Sequence, residues 1–170
     1  MRAEAEQAYV EYVTVRLAAL HRLAFLLCGD EHRADDLVQQ TITKLYVRWR
    51  RISAVEHLDQ YVRTMLVRSF LDERRRPWAR VNLLAETPDA PQPSDENVEE
   101  RLALRAALAR VPRRQQAVLV LRFLCDLSVE EVAAALECSE GTVKSQTSRG
   151  LATLRRTLAG HQLPAGDRGR

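Results

Sequence analysis

Aromatic residues make up only 5% of this 170-residue chain. Its core must therefore be built mainly from Leu, Val and Ala, a mixture that favours helices. Long apolar runs are also missing. Leu23 to Cys28 is typical of the longest, far short of the roughly 20 residues that span a bilayer. The opening Met1-Arg-Ala-Glu has none of the apolar segment of an export signal. Membrane insertion and export are thus not expected, and a cytoplasmic protein is. The three cysteines, Cys28, Cys125 and Cys138, are odd in number, lack metal-ligand spacing and sit among apolar residues. They are expected as buried thiols in a reducing compartment. The four histidines (His21, His32, His57, His161) are scattered, without the spacing of a metal site. No glycine-rich phosphate loop and no nucleophilic grouping is visible. No catalytic residue, metal or cofactor is assigned, and an enzyme is not expected.

What is present is charge, unevenly placed. The formal net charge is +3, but it comes in blocks. Residues 1–43 hold four Arg against seven acids; residues 44–81 hold ten bases against four acids. Residues 82–100 carry six acids and no base, and residues 101–170 hold twelve bases against six acids. Two basic blocks around an acidic spacer point to two contacts with a polyanion.

The apolar pattern has the helical period. Val10, Val13, Leu17, Leu20, Ala24 and Leu27 recur at steps of three and four, which predicts one face of a long first helix. Gly29-Asp30 ends it, with Asp30 placed to cap a second helix marked by Ala34, Leu37, Val38, Thr41 and Leu45. Ser53 with Glu56 reads as a capping box for a third helix. That helix would bury Leu58, Tyr61, Val62, Met65, Leu66 and Ser69 and stop at Pro77. Residues 82–97 contain three prolines and no base or aromatic, the composition of a flexible connector. Helical pattern resumes with Leu102, Leu104, Ala106 and Leu108, breaks at Val111, and restarts after Pro112. The fold class is all-α: two small helical domains, 1–81 and 101–160, joined by a linker at 82–100 and followed by a disordered tail at 161–170.

Residues 112–158 are the most informative. Pro112 to Phe123 predicts one helix with Ala117, Val118, Leu121 and Leu124 inward. Ser128 with Glu131 forms a second capping box, opening a short helix that buries Val132, Ala133 and Leu136. The small Ala134 and Ala135 would let the next helix approach closely. Glu137-Cys138-Ser139 breaks the chain, and Ser139 can cap a last helix that packs through Val143, Leu151, Leu154 and Leu158. A short helix, a tight turn and a longer helix form a helix-turn-helix. The outer face of the last helix carries Thr142, Lys144, Ser145, Gln146, Ser148, Arg149 and Arg155, and from Gly141 to Leu163 there are four bases and no acid. Such a face suits a major groove, where Arg pairs with guanine, Gln with adenine, and Lys and Ser hold phosphates.

Ser128-Val-Glu-Glu-Val-Ala-Ala-Ala-Leu followed by Gly141-Thr-Val-Lys-Ser resembles the carboxy-terminal domain of extracytoplasmic-function RNA polymerase sigma factors. Leu108 to Gln115 resembles the segment leading into it. In the first half, Asp35-Asp-Leu-Val-Gln-Gln-Thr41 resembles the family's core-polymerase-binding helix. The stretch from Tyr61-Val-Arg through Asp72 and Arg74-Arg75-Arg76 resembles the helix that reads and opens the minus-10 element. The resemblance spans about residues 10–160, both halves in the family's order, and is greatest to an actinobacterial, SigE-like subgroup.

The resemblance implies a protein that binds core RNA polymerase, at its clamp and flap, and directs it to promoter DNA. Asp35, Asp36, Gln39 and Gln40 would bind the polymerase. Arg63, Arg68, Arg74, Arg75, Arg76 and Trp78 would bind the minus-10 strand, where cations follow phosphates and an aromatic stacks on a base. Thr142, Lys144, Ser145, Gln146, Ser148 and Arg149 would read the minus-35 element. Asp72 would orient its helix through an ion pair. The acidic linker would pass through the polymerase's basic channel, and an anti-sigma factor is implied as a further partner. The chain departs from the family's pattern at Arg68, where Asn is usual, and at Gln146-Thr147-Ser148, where many members carry Arg-Leu-His. A helix-turn-helix regulator that binds DNA as a dimer without polymerase is the alternative reading.

Overall fold

The computed structural model describes residues 2–73 and 98–162. In its first half Asp30, extended at φ −140, accepts a hydrogen bond from the Arg33 amide at 2.8 Å, as the sequence predicts. It caps α2 (Glu31–Ile52), whose buried stripe of Ala34, Leu37, Val38, Thr41, Leu45, Trp49 and Ile52 packs along α1 (Arg2–Cys28) and α3 (Leu58–Asp72).

Two expectations for this half are corrected. On α1, Leu20, Ala24 and Leu27 are buried, but Val10 and Leu17 are about half exposed. The inward side of the first turns is Tyr9 and Tyr12, whose rings stack edge-on or tilted against Trp49 with centroids 5.5 and 5.4 Å away. The rings fill more space and their hydroxyls find partners: Tyr9 donates to the Ile42 carbonyl and Tyr12 to Asp59, both at 2.8 Å. The second correction is the start of α3. Ser53 is not its cap; its amide donates to the Trp49 carbonyl and closes α2. The buried Ile52 is the last residue of α2, and α3 starts only at Leu58 with no side-chain cap. Asp59 in its first turn is instead gripped by two nitrogens of Arg16, Nε at 3.0 Å and Nη2 at 2.7 Å, and by the Tyr12 hydroxyl. Along α3, Val62, Met65, Leu66 and Ser69 are buried as expected, joined by Val67 and Phe70.

The second half comprises α4 (Val98–Ala109), α5 (Arg113–Leu119), α6 (Val129–Leu136) and α7 (Glu140–Gln162). Helix α4 begins three residues ahead of the predicted 101 and packs through Ala107 and Leu108, leaving Leu102 and Leu104 exposed. The buried Gln116 amide donates to the Leu108 carbonyl and joins α4 to α5. The predicted helix from Pro112 to Phe123 does not keep one register. After Leu119 the chain passes through a π-helical turn, Val120–Leu124, with the Cys125 amide reaching back five residues to Val120. One extra residue in a turn rotates everything beyond it, so Leu124 points out while Cys125 and Leu127 are buried.

The helix-turn-helix is as predicted at its ends. Ser128 Oγ accepts from the Glu131 amide at 3.1 Å, and the Glu131 carboxylate accepts from the Ser128 amide at 2.6 Å. Glu137, at φ 53, makes the left-handed turn out of α6, and Ser139 Oγ accepts from the Thr142 amide at 3.1 Å to start α7. One residue not singled out from sequence sets the packing of α7. A Cβ on the buried Gly150 would lie 3.0 Å from Leu119 Cδ1, so the glycine lets α7 approach α5 closely.

The capping box gives two expectations. Ser128→Ala removes one of the two reciprocal bonds and should lower stability by about 1 kcal/mol, read by urea unfolding; no change would mean the cap is dispensable. The Ser128 amide, then its hydroxyl and Gln60, hold the Glu131 carboxyl below the usual carboxylate range. A depressed folded-state pKa contributes stability above the unfolded pKa, about 4.3. That contribution fades as pH falls through the lower folded value. A titration should show Glu131→Gln flattening that acid limb; an unaltered limb would remove Glu131 from it.

Candidate nucleic-acid interface

The predicted groove-reading residues lie on the first three turns of α7. Val143 and Gly150 are buried inward, and that packing turns Lys144, Ser145, Ser148 and Arg149 outward, all exposed. Arg155 and Arg156 continue the exposed stripe. Thr142 is half-buried, its hydroxyl 2.9 Å from that of Ser139. Gln146 is also half-buried, and its amide oxygen is buried with no hydrogen-bond partner among the described residues. The geometry thus groups four of the six candidates and turns two partly into the domain.

In the first half, Asp36 and Gln39 are exposed on α2 and Gln40 is half-buried. Asp35 is paired with His21 of α1, Nε2 to Oδ1 at 2.8 Å. Leu37 and Val38 lie in the core. Two residues that sequence reasoning missed extend the same outward face: Val47 is 80% exposed and Tyr46 53%. The signal was available, since both fall out of phase with the buried stripe. Trp49 is a packing residue, 6% exposed.

On α3, Arg63 and Arg68 lie on its side toward α5 and α6. Arg63 lines a crevice with Cys125 and Asp126; Arg68 Nε donates to the Ala135 carbonyl at 2.5 Å. Asp72 is exposed and lines the neighbouring crevice. Ala134, expected between the two helices of the helix-turn-helix, lines that crevice too and is exposed, whereas Ala135 is buried. The candidates Arg74, Arg75, Arg76 and Trp78, the acidic linker up to residue 97 and most of the tail lie outside the described residues.

The thiols are free: Cys125 is buried, Cys28 and Cys138 half-buried. Burial pushes the Cys28 thiol up to about 12 and raises Cys125 as well, so neither is a ready nucleophile. Among the described residues no group of three or more His, Cys, Asp or Glu is placed to hold a metal, and no helix is long and apolar enough to cross a membrane.

The described residues are all helical, with a capped helix-turn-helix whose second helix carries an exposed basic face, the arrangement of a DNA-binding module. Comparison with known proteins sharpens this. The model of sigma-70 region 2 matches residues 13–80, and that of sigma-70 region 4 matches residues 101–154. The chain is 37% identical over 163 residues to the RNA polymerase sigma-E factor of Streptomyces coelicolor, covering 92% of this chain and 89% of that protein. It is 34% identical over 161 residues to the ECF RNA polymerase sigma factor SigE of Mycolicibacterium smegmatis, covering 89% and 62%. Its fold is that of the sigma factor RpoE of Bartonella quintana, solved in complex with the anti-sigma factor NepR. The TM-score is 0.72 at 24% identity, covering 89% of this chain and 96% of that one. CnrH, solved in complex with the cytosolic domain of CnrY, gives 0.61 at 21%, covering 94% and 97%.

The chain belongs to the sigma-70 family of RNA polymerase sigma factors, in its extracytoplasmic-function branch with SigE-like relatives. Its function is promoter-specific transcription initiation with RNA polymerase, and the dimeric-regulator alternative is not favoured. The family is not an enzyme family.

Proposed function

We propose that the two halves divide the promoter between them. Helix α7 reads the minus-35 element in the major groove with Arg149 as the principal base reader. Lys144, Ser145 and Ser148 hold the backbone beside it, and Thr142 and Gln146 support from the inner edge. Helix α3, with Arg63 and Arg68 and the following Arg74, Arg75, Arg76 and Trp78, takes the minus-10 strand. The outward face of α2, through Asp35, Asp36, Gln39 and Gln40, docks on the polymerase clamp, and the second half reaches the flap. RNA synthesis stays with the polymerase, the protein itself has no catalytic site, and it works in the cytoplasm. An anti-sigma factor is a further partner, as in the complex of its structural relative RpoE with NepR.

The observation that carries this reading is the outer face of α7. Behind a doubly capped turn it offers exposed Lys144, Ser145, Ser148 and Arg149 with no acid from Gly141 to Leu163. The test is run-off transcription on fragmented genomic DNA from the source organism, with purified core polymerase, with and without the protein. Discrete transcripts that require the protein, all sharing two spaced upstream elements, are the expected result. Specific protection of DNA by the protein alone, without transcripts, would replace the reading with the dimeric regulator.

The polymerase contact has its own test. Asp36→Arg reverses charge on an exposed residue of α2 and should lower affinity for core enzyme equally on every promoter, measured by competition with the wild-type protein. Unaltered core binding would remove Asp36 from that interface.

A further inference from the structure

Only Gly29 and Asp30 separate α1 from α2, and Gly29 turns there at φ 69. So short a connection lays the two helices side by side and antiparallel. Helix α1 then meets the outer side of α2 at two places. His21 Nε2 stands 2.8 Å from Asp35 Oδ1. Three turns further along α2 the Tyr46 ring meets that of Tyr9 edge-on, centroids 5.0 Å apart. The Tyr9 hydroxyl donates to the Ile42 carbonyl one turn before it. Positions 35, 39, 42 and 46 follow at steps of three and four, so they share one side of the helix. On that side Asp35, Gln39 and Tyr46 are exposed.

The contact between His21 and Asp35 does little for the fold. Its side chains are 32% and 64% exposed, and exposed ion pairs add little to stability. What it does is fix a direction. A free aspartate samples several side-chain rotamers, whereas this one is tethered at Oδ1 to a ring on the neighbouring helix. A carboxylate has about four acceptor sites, and one contact leaves the others for a partner. Residues 1–43 carry seven acids against four Arg, so the partner that fits this side is a basic surface.

We infer that His21 is a positioning residue for the polymerase contact. From α1 it holds the Asp35 carboxylate of α2 ready for a cation of the clamp, so the docking surface spans two helices. The inference rests on the reading of α2's outward face as that surface. An unheld Asp35 has to be immobilised as docking occurs, whereas a held one has met that cost in the folded chain. Freezing one side chain weakens binding by about two- to ten-fold, the loss expected when His21 is removed.

The test is competition of the full-length variants with the wild-type protein for core polymerase. Circular dichroism and urea unfolding first establish that each variant folds. His21→Ala should bind core about two- to ten-fold more weakly. His21→Gln should restore wild-type affinity, because its Nε2 lies as many bonds from Cα as that of histidine. Should His21→Ala fail to fold, His21→Leu, close in size and without a donor, takes its place. Asp35→Asn keeps an acceptor for His21 but drops the charge, and should bind as weakly as Asp35→Ala. In an Asp35→Ala chain, His21→Ala should cost nothing further. Unchanged affinity in His21→Ala beside a loss in Asp35→Ala overturns the positioning role and leaves the docking reading standing. No loss in Asp35→Ala removes Asp35 from the docking surface, and the positioning role with it. Wild-type affinity in Asp35→Asn makes the pair a packing contact and overturns the role. So does a full loss for His21→Ala in the Asp35→Ala chain, since His21 then acts without Asp35. Tighter binding by His21→Ala overturns it as well: the histidine would be competing with the polymerase for the carboxylate.

Discussion

Leu37→Ala should lower the unfolding free energy by about 2–5 kcal/mol, a large part of the 5–15 kcal/mol typical of a small domain. Leu37 is fully buried on α2 within the cluster that includes Ala24, Leu27, Val62, Leu66 and Phe70. Truncation removes the transfer free energy of the lost methine and two methyl groups. It also leaves a void that three packed helices cannot readily close, since Asp30 caps one end of α2 and the Asp59 network ties α1 to α3. The neighbouring Asp36→Arg supplies the control. Its side chain is exposed, so stability should stay within about 0.5 kcal/mol of wild type while polymerase affinity falls. Urea unfolding of both variants decides. A Leu37→Ala loss below about 1 kcal/mol would mean the site collapses around the deletion. A comparable loss in Asp36→Arg would make any polymerase effect a folding effect.

Arg149→Ala should weaken minus-35-dependent promoter binding by about 1–3 kcal/mol, roughly 5- to 150-fold, the range for one base-reading arginine. The loss should concentrate at one base pair: substituting that pair in the promoter should cost the wild-type protein as much and the variant little. Lys144→Ala, at an exposed position one turn earlier, should behave as a backbone contact. It should weaken all promoters alike and reduce the slope of log affinity against log salt by about one. A uniform loss for Arg149→Ala with a reduced salt slope would make it a phosphate contact and move base reading elsewhere on α7.

How far the residues foretold these sites depends on the distance over which each was decided. The stripe on α2 follows a 3.6-residue period and lies where it was expected, as do the Asp30 cap and the reciprocal Ser128–Glu131 box. The outward face of α7 was legible because Val143 and Leu151 mark its inner side. Misplaced features had competing local solutions. Ser53 and Glu56 match a capping pattern, yet with Ile52 buried α2 runs up to it and Ser53 serves as the C-cap of α2 instead. Tyr9 and Tyr12 outcompeted Val10 and Leu17 for the interior because Trp49 and Asp59, far along the chain, supply their partners.

Helix class, order, the Asp30, Ser128 and Ser139 caps and the two-basic-block charge pattern were local properties, legible in the chain alone. The π turn that rotates Leu124 outward, the approach of α7 at Gly150, the His21 partner of Asp35 and the burial of Gln146's amide oxygen belong to packing. So does the grip of Arg68 on a carbonyl 67 residues away. Each depends on which side chain reaches a given space or unpaired group first. That competition is settled between residues far apart in sequence, where periodicity carries no information.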